Sequence, residues 1–334
     1  MSTARGRRIT SADVAREAGV SRATVSYVLN DKPGQAIPDA TRRRVRDAAA
    51  RLGYAPSATA TALRRGRSDV VLGLLPDWPL GHALGRVVQE VTAAFARSGL
   101  TFVLHPDSRA VRPMGEVWKA ITPVAVLAFD ALTPAEAAAM RAAGVEVVVT
   151  LHSPVEQRPG ELLQPQDPVG GLQARHLAPT HRRLGYAYPD DDRVAVFARP
   201  RLQGVRDVCT ELGLPAPDVR TVPLQPRAAA EAVRSWLAAD PPVTGICAYN
   251  DEVAMAVLTG ARRLGVRVPE ELAVVGVDDV PAAAVADPPL TTVVQDYRAI
   301  AEHHVRSVVA VLAGEPIPGA PVKDECRLEI RASA

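Results

Sequence analysis

Residues 13–30 read DVAREAGVSRATVSYVLN. The stretch divides into a short helix, a tight turn at Gly19, and a second helix rich in small and polar residues. That spacing is the sequence shape of a helix-turn-helix, whose second helix lies in the major groove of DNA. Thr10 or Ser11 is placed to cap the first helix, and Asp13 falls in its first turn, where the helix dipole favours an anion. Val14, Ala15 and Ala18 supply an apolar face, and Gly19 accepts the positive φ of a helix C-terminus. Ser21 caps the second helix, and Val25, Val28 and Leu29 give it a buried stripe. A third helix is predicted to begin near Pro38 and Asp39, to bury Val45, Ala48, Ala49 and Leu52, and to stop at Gly53. Three short helices close one small core.

Charge supports this reading of the head. The formal net charge of the 334-residue chain is only +2, but residues 1–68 hold 14 Lys+Arg against 5 Asp+Glu, and the remainder holds 25 against 32. Such asymmetry points to nucleic acid on the basic side. A solvated basic tail explains it less well, because the arginines sit inside a patterned helical region. Residues 54–66, YAPSATATALRRG, are too short for a domain. They read as a linker able to form one or two helical turns that are marginal alone.

From Asp69 onward the pattern changes. Apolar runs at 70–75, 101–105, 124–129, 145–151, 185–188, 194–197, 245–249 and 273–277 alternate with helical stretches at 84–97, 134–142, 202–212, 228–238, 253–264 and 299–312. A further strand-like stretch, 326–330, lies near the end. Unalternated β-branched runs are strands buried on both faces, so the sheets are expected to be parallel and helix-covered. The body is too long for one comfortable open sheet. The expected fold is a small all-α helix-turn-helix domain followed by an α/β body of two doubly wound lobes with a cleft between them. Ligands of such folds bind outside the carboxyl ends of the strands.

Several classes of function are excluded or disfavoured. Hydrophobic content of 47% and charged content of 23% are ordinary for soluble globular protein. Cys209, Cys247 and Cys326 are sparse and far apart, which fits a reducing compartment and three inert packing residues. The basic N-terminus lacks a following apolar stretch and is not a secretory signal, and no apolar run is long enough to cross a bilayer. No nucleophile elbow, phosphate loop, dinucleotide fingerprint or zinc-protease motif is present, so an enzyme is not expected. Neither a cofactor nor a metal is expected: His303 and His304 are adjacent on a helix and point to different faces.

In the head, Asp13-Val14-Ala15, Ala18-Gly19-Val20-Ser21, Ala23-Thr24-Val25-Ser26, Val28-Leu29-Asn30 and Thr41-Arg42 form a recurring signature, followed by Leu52-Gly53-Tyr54, Pro56 and Ala62-Leu63-Arg64. In the body stand Pro76-Asp77, His176-Leu177, His181-Arg182-Arg183, Arg201-Leu202-Gln203-Gly204, Asn250-Asp251-Glu252, Val275-Gly276-Val277-Asp278-Asp279 and Pro288-Pro289-Leu290-Thr291-Thr292-Val293. Taken together and in order, these blocks resemble the LacI family of bacterial transcription regulators over nearly the whole chain. The resemblance implies a helix-turn-helix domain at 1–55, a hinge at 56–68 and a body at 69–334. It gives that body the type I periplasmic-binding-protein fold, two lobes crossed three times by the chain. The lobes are expected at about 69–165 plus 295–318 and 166–294 plus 319–334.

By resemblance, Arg22, Ala23 and Tyr27 read base edges. They lie opposite Val25, Val28 and Leu29. Arg22 is able to pair bidentately with guanine or to hold a phosphate, and Ala23 to touch a thymine methyl. Tyr27 departs from the arginine usual there, so the operator half-site is expected to differ at that position. Thr10, Ser21, Thr24, Ser26 and Asn30 are expected as phosphate contacts or caps, with the cap preferred for Ser21. In the hinge, Ala60, Leu63 and Arg64 match minor-groove positions. Leu63 is expected to wedge into a base step and kink it, against the alternative of packing on the body.

Arg201, Asn250 and Asp278 align with positions that bond the family's effector. Asn250 and Asp278 each follow an apolar run, at a strand's carboxyl end. A carboxylate, an amide and a guanidinium suit a polyol such as a sugar; a cap at Asp278 and a surface ion pair at Arg201 are the plain alternatives. Asp77 and Trp78 follow the first body strand and complete the expected set, with Trp78 either a stacking platform or lobe packing. The loop PDWPLG and Gln166-Asp167-Pro168 depart from the family pattern. The chain is expected to be a cytoplasmic homodimer, without a tetramerising leucine heptad, that binds a near-palindromic DNA operator under control of a small-molecule effector and away from membranes. A protein of the same fold whose cleft binds no effector is the alternative.

Overall fold

The structure is a computed structural model and describes residues 9–29, 37–54, 68–106, 114–150, 166–316, 318 and 326–334. It comprises two units, Met1–Asp69 and Val70–Ala334.

The first unit holds α1 (Ser11–Ala18), α2 (Arg22–Leu29) and α3 (Asp39–Arg51). At the start of α1 the Thr10 amide and hydroxyl both donate to Asp13 Oδ2, at 2.9 and 2.7 Å. Gly19 ends it at φ 63°, a conformation open to glycine at little steric cost. Ser21 Oγ accepts from the Thr24 amide at 3.1 Å and so caps α2. Val14, Val25, Val28, Val45 and Ala48 interlock as a core at most 1% exposed. Each buried valine contributes roughly 1.5–3 kcal/mol.

In the second unit β1 (Val70–Leu75), β2 (Thr101–Pro106), β3 (Ala125–Ala128) and β4 (Val147–Thr150) form a parallel sheet in the order β2-β1-β3-β4. Three helices interleave with them, α4 (His82–Arg97), α5 (Met114–Ile121) and α6 (Pro134–Ala142). Val71, Val91 and Phe95 pack on one face, and Leu72, Leu74, Trp118 and Met140 on the other. Burial on both faces is why β1 reads as an unbroken apolar run.

The second lobe carries α7 (Asp167–Leu177), β5 (Leu184–Pro189), α8 (Ala195–Glu211), β6 (Asp218–Val222), α9 (Pro226–Leu237) and β7 (Gly245–Ala248). It continues with α10 (Asp251–Leu264), β8 (Ala273–Val277) and β9 (Thr291–Gln295). The chain then returns to the first lobe as α11 (Tyr297–Leu312), whose Ala301, Val305 and Val308 join the core of α4. It ends in the second sheet as β10 (Cys326–Glu329). That sheet runs β10-β9-β8-β7-β5-β6, parallel throughout except for β10, which pairs antiparallel with β9. Its core centres on Tyr186, Trp236, Ile246 and Leu272, all fully buried.

Two contacts position the ligand-side ends of these elements. The buried Gln173 amide on α7 donates to the carbonyls of Ala248, Val275 and Gly276 at 2.8–3.1 Å, fastening α7 to the ends of β7 and β8. Gly170 and Gly204 let α7 and α8 touch backbone to backbone: a Cβ at Gly170 would collide with the carbonyl of Arg201, and one at Gly204 with the carbonyl of Asp167.

The structure departs from the sequence reading in six places. Residues 194–197, expected as a strand, form a 3-10 turn and the first turn of α8. The run obeys the helical period: Val194, Ala198, Leu202 and Val205 bury one stripe. Helix α8 also starts earlier than 202, because Pro200 is accommodated inside it. Strand β6, DVRTV, was hidden by its charges, which an edge strand carries on its open side. Strand β9 appears where only a motif was noted, and α5 and α7 were not anticipated.

Candidate functional site

A cavity of about 510 Å³ opens between the two lobes. Its wall is built from residues that follow strands: Trp78 after β1, Phe129 after β3, Asp190 after β5, Tyr249 and Asn250 after β7, and Asp278 after β8. Parallel strands deliver their carboxyl ends to one edge, so the first residues of the following loops converge there. Arg201 enters from α8, and Gln295 and Tyr297 from the segment that joins β9 to α11.

Arg201 is 5% exposed. Its Nε donates to Gln166 Oε1 at 3.0 Å and its Nη1 to the Tyr249 carbonyl at 2.8 Å. Nη2 stands 3.8 Å from Asp278 Oδ1. The guanidinium carbon lies 5.0 Å from the centroid of the Tyr249 ring, a cation–π distance. Burial works against the charged form, but the Asp278 carboxylate and the surrounding phenols outweigh it, so the Arg201 pKa is raised and the side chain stays cationic. The same oxygen of Asp278 accepts from the Tyr297 hydroxyl at 2.9 Å and from Gln295 Nε2 at 3.2 Å. Burial pushes the Tyr249 phenol up to about 12, and burial together with Asp278 pushes Tyr297 up further. Both phenols therefore stay neutral, and that of Tyr297 donates to Asp278.

Asp278 and Asp279 both adopt positive φ, 102° and 48°. Left-handed backbone at non-glycine residues costs about 1–3 kcal/mol each and persists only where neighbours enforce it. Here the Asp278 amide donates to the Val293 carbonyl at 2.8 Å, and Asp279 Oδ1 accepts from Arg331 Nη2 at 2.6 Å. Asp251 braces the turn from below. Its Oδ1 accepts from Thr292 Oγ1 at 2.6 Å and its Oδ2 from the Val280 amide at 2.8 Å. Burial raises its pKa to about 7 against the pull of those two hydrogen bonds.

The sequence-derived ligand set is thus placed unevenly. Trp78, Arg201, Asn250 and Asp278 line the cavity. The oxygen of Asn250 caps α10, accepting from the Val253 amide at 3.0 Å, and its amide nitrogen is the group left for a ligand. Asp77 is not part of the wall. It is 85% exposed and reaches across to Arg193 of the other lobe, 3.6 Å away. Trp78 bridges the lobes as well as lining the cavity: its ring meets Phe129 edge-on at 6.4 Å and Phe197 of α8 at 4.8 Å. Of the two readings of Trp78, lobe packing is the one its ring contacts describe.

In the head, Arg22 and Ala23 are exposed on α2, Tyr27 is half-buried, and Val25 and Val28 face the core. Thr10 and Ser21 are exposed but engaged in capping, and Ser21 Oγ also lies 2.9 Å from Thr24 Oγ1. Ser26 is half-buried. Asn30, Ala60, Leu63 and Arg64 lie outside the described residues.

Residues 10–57 match the family described as bacterial regulatory proteins, lacI family, and residues 174–334 match a periplasmic binding protein-like domain. The HTH-type transcriptional regulator MalR of Streptomyces coelicolor is 33% identical over 327 residues, covering 92% of this chain and 91% of that protein. The chain belongs to the LacI family. It is a DNA-binding transcription regulator with a periplasmic-binding-protein-like body. A solved complex of the transcriptional regulator CelR with cellobiose is 28% identical, with a TM-score of 0.64 over 98% of this chain and all of that one. The Lac repressor dimer bound to operator and an anti-inducer shares the fold, with a TM-score of 0.80 over 98% of this chain and 99% of that chain, at 24% identity.

For this LacI-family regulator the sequence reading missed Gln166, Gln295 and Tyr297, which complete the polar floor of the cavity, and Phe197, which closes it. Gln295 and Tyr297 carried a usable signal, since they end one strand and begin one helix. Phe197 was concealed by assigning its run to a strand. Among the described residues no cluster of His, Cys, Asp or Glu is arranged to hold a metal. No helix there is long and apolar enough to cross a membrane. The rings of His303 and His304 lie 6.0 Å apart and tilted.

Proposed function

We propose that the chain is a homodimeric, cytoplasmic, non-enzymatic repressor. Its paired heads grip a near-palindromic operator, and a small polar metabolite, a sugar or a relative of one, held between the lobes sets its operator affinity. The observation that carries the effector half is the arrangement of Arg201, Asp278, Gln295 and Tyr297 at the floor of a cavity walled by aromatic rings. Convergent polar groups in a largely apolar cleft are the usual form of a small-molecule site. The cellobiose complex of CelR supports the sugar class.

In this reading Arg22, Ala23 and Tyr27 contact base edges while Thr10, Ser21, Thr24, Ser26 and Asn30 hold phosphates or cap helices. Residues 56–68 order on DNA, where Ala60, Leu63 and Arg64 enter the minor groove. The effector favours one lobe arrangement and thereby changes the separation of the paired hinges, which couples the sites by linkage. One observation favours a second reading, a cleft without an effector: Asp278 and Arg201 already satisfy each other and their neighbours.

Selection of bound duplexes from a random pool, with and without a panel of sugars, tests both halves. An enriched inverted repeat whose binding responds to a panel member supports the proposal. Enrichment indifferent to every ligand moves the weight to the second reading. Absence of enrichment under all conditions removes the operator reading.

A further inference from the structure

We propose that the cleft is built for an uncharged carbohydrate longer than one ring and discriminates against anionic ligands such as sugar phosphates, sugar acids and nucleotides. This rests on the effector reading above.

The charge of the wall carries the first half. Asp190, Asp191, Glu252 and Asp278 line the cavity, against the single guanidinium of Arg201. Arg193 neutralises Asp191 through a 2.7 Å pair, but no described arginine or lysine is paired in that way with Asp190 or Glu252. Arg201 offers an anion little. Its charge is compensated by Asp278, and its Nε and Nη1 are already bonded to Gln166 and the Tyr249 carbonyl. Phosphate and carboxylate are best bound by two parallel N–H groups of a guanidinium fork, and the Nη2 side of that fork already stands beside the Asp278 carboxylate, which an anion would have to displace or approach.

The α10 N-terminus, another ordinary kind of anion site, is closed as well, whereas the first turn of α4 from Gly81 to Leu84 lines the wall without a carboxylate, so discrimination falls to the side-chain carboxylates. Helix α10 begins at the cavity, yet the oxygen of Asn250 takes its Val253 amide and Asp251 and Glu252 fill its first turn. A helix start that would welcome a phosphate is already furnished with carboxylates.

The second half follows from shape and from the aromatic wall. Trp78, Phe129, Phe197, Tyr249 and Tyr297 line the cavity in a chain whose aromatic content is 4%. Pyranose rings present C–H faces to aromatic surfaces and hydroxyl edges to carboxylates and amides, and this wall supplies both. Asp190, Glu252, Gln225 and the Asn250 amide nitrogen are its hydroxyl partners. The volume of about 510 Å³ is more than one hexose fills, and both lobes contribute to it.

The test uses the full chain at pH 8. Thermal shift and calorimetry are run with glucose, cellobiose, maltose, maltotriose, glucose 6-phosphate, gluconate and AMP. Binding of at least one of the three longer neutral sugars, about tenfold or more tighter than glucose and than every anion, is the expected result. An anion that binds best, or glucose binding as tightly as any longer sugar, overturns the inference and leaves the effector reading standing. No binding by any probe, with operator affinity unchanged by all of them, removes both. A variant combining Asp190→Asn and Glu252→Gln, both exposed positions, checks the cause. It is expected to narrow the preference for the best neutral sugar over its phosphate by about tenfold. An unchanged preference would show that these carboxylates do not set it.

Discussion

The hydroxyl of Tyr297 donates to the carboxylate of Asp278 at 2.9 Å, and the bond joins the two lobes. Tyr297 is the first residue of α11, which packs in the first lobe, and Asp278 follows β8 of the second. Tyr297→Phe keeps the ring and deletes the bond. A buried hydrogen bond to a charged acceptor is worth about 1.5–3 kcal/mol, and a body of this size loses roughly 2–4 °C of melting temperature per kcal/mol. The expected outcome is a melting temperature lowered by several degrees, read by calorimetry, with operator affinity at saturating effector little changed. An unaltered melting temperature would mean that Gln295 and Arg201 hold Asp278 without help.

Asp278→Ala removes the acceptor at the floor of the cavity. Operator binding in the absence of ligand is expected to persist, and its response to effector to vanish, as measured by fluorescence anisotropy on labelled operator. A surviving response would place the ligand site elsewhere.

Gly170→Ala tests the backbone contact between α7 and α8. The added Cβ meets the carbonyl of Arg201, which is backbone and gives way only if α8 moves. The helix shift displaces the guanidinium that pairs with Asp278. The expected loss is about 1–3 kcal/mol of stability, the usual cost of overpacking, with weaker effector binding in calorimetry. Gly171→Ala is the control, since its Cβ meets neighbours only at ordinary contact distance.

Asp251 predicts a pH dependence. Burial holds its folded pKa at about 7, above the ordinary carboxylate value near 3.9. A folded pKa raised in this way contributes stability that is complete below the unfolded value and is lost as pH rises through about 7. Melting temperature is therefore expected to climb as pH is lowered from 8 to 5. Asp251→Asn, which is able to accept from Val280 and donate to Thr292, is expected to flatten the slope. An identical slope in wild type and variant would rule Asp251 out as its source.

In the head, Arg22→Ala is expected to cost about 1–3 kcal/mol at one base position and to relax specificity there, seen in a competition assay with single-base variants. A uniform loss over all sequences would make Arg22 a phosphate contact instead. Leu63→Ala is expected to lower operator affinity with effector binding intact, and an unchanged affinity would remove the minor-groove wedge.

Much of this was legible in the sequence because the signals were local. Helix caps at Thr10 and Ser21, the turn at Gly19, and strands buried on both faces each declare themselves within a few residues. Asn250 and Asp278 were singled out by the family resemblance, and the apolar run that each directly follows agrees with their place at the cavity wall. What escaped depends on the partner. Strand β6 exists because β5 lies beside it, so its own charged residues argue against it. The helical start at residue 195 depends on one buried stripe that four residues cannot reveal. Asp77 was placed in the cleft because it follows the first body strand in the Pro76-Asp77 block, yet consecutive residues point apart, and its exposed carboxylate pairs with Arg193.

The crossing from β9, which ends at Gln295, to α11, which begins at Tyr297, takes only Asp296. It sets a fulcrum at the floor of the cavity, while Asp77–Arg193 and Trp78–Phe197 stand apart from it toward the rim. Ligand atoms at the floor act with almost no lever arm and serve chiefly to hold. Those that part the rim act with a long one. The two ends of a single bound molecule then carry different work, grip at one and torque at the other, and a ligand that fills only the floor is expected to bind without turning the lobes.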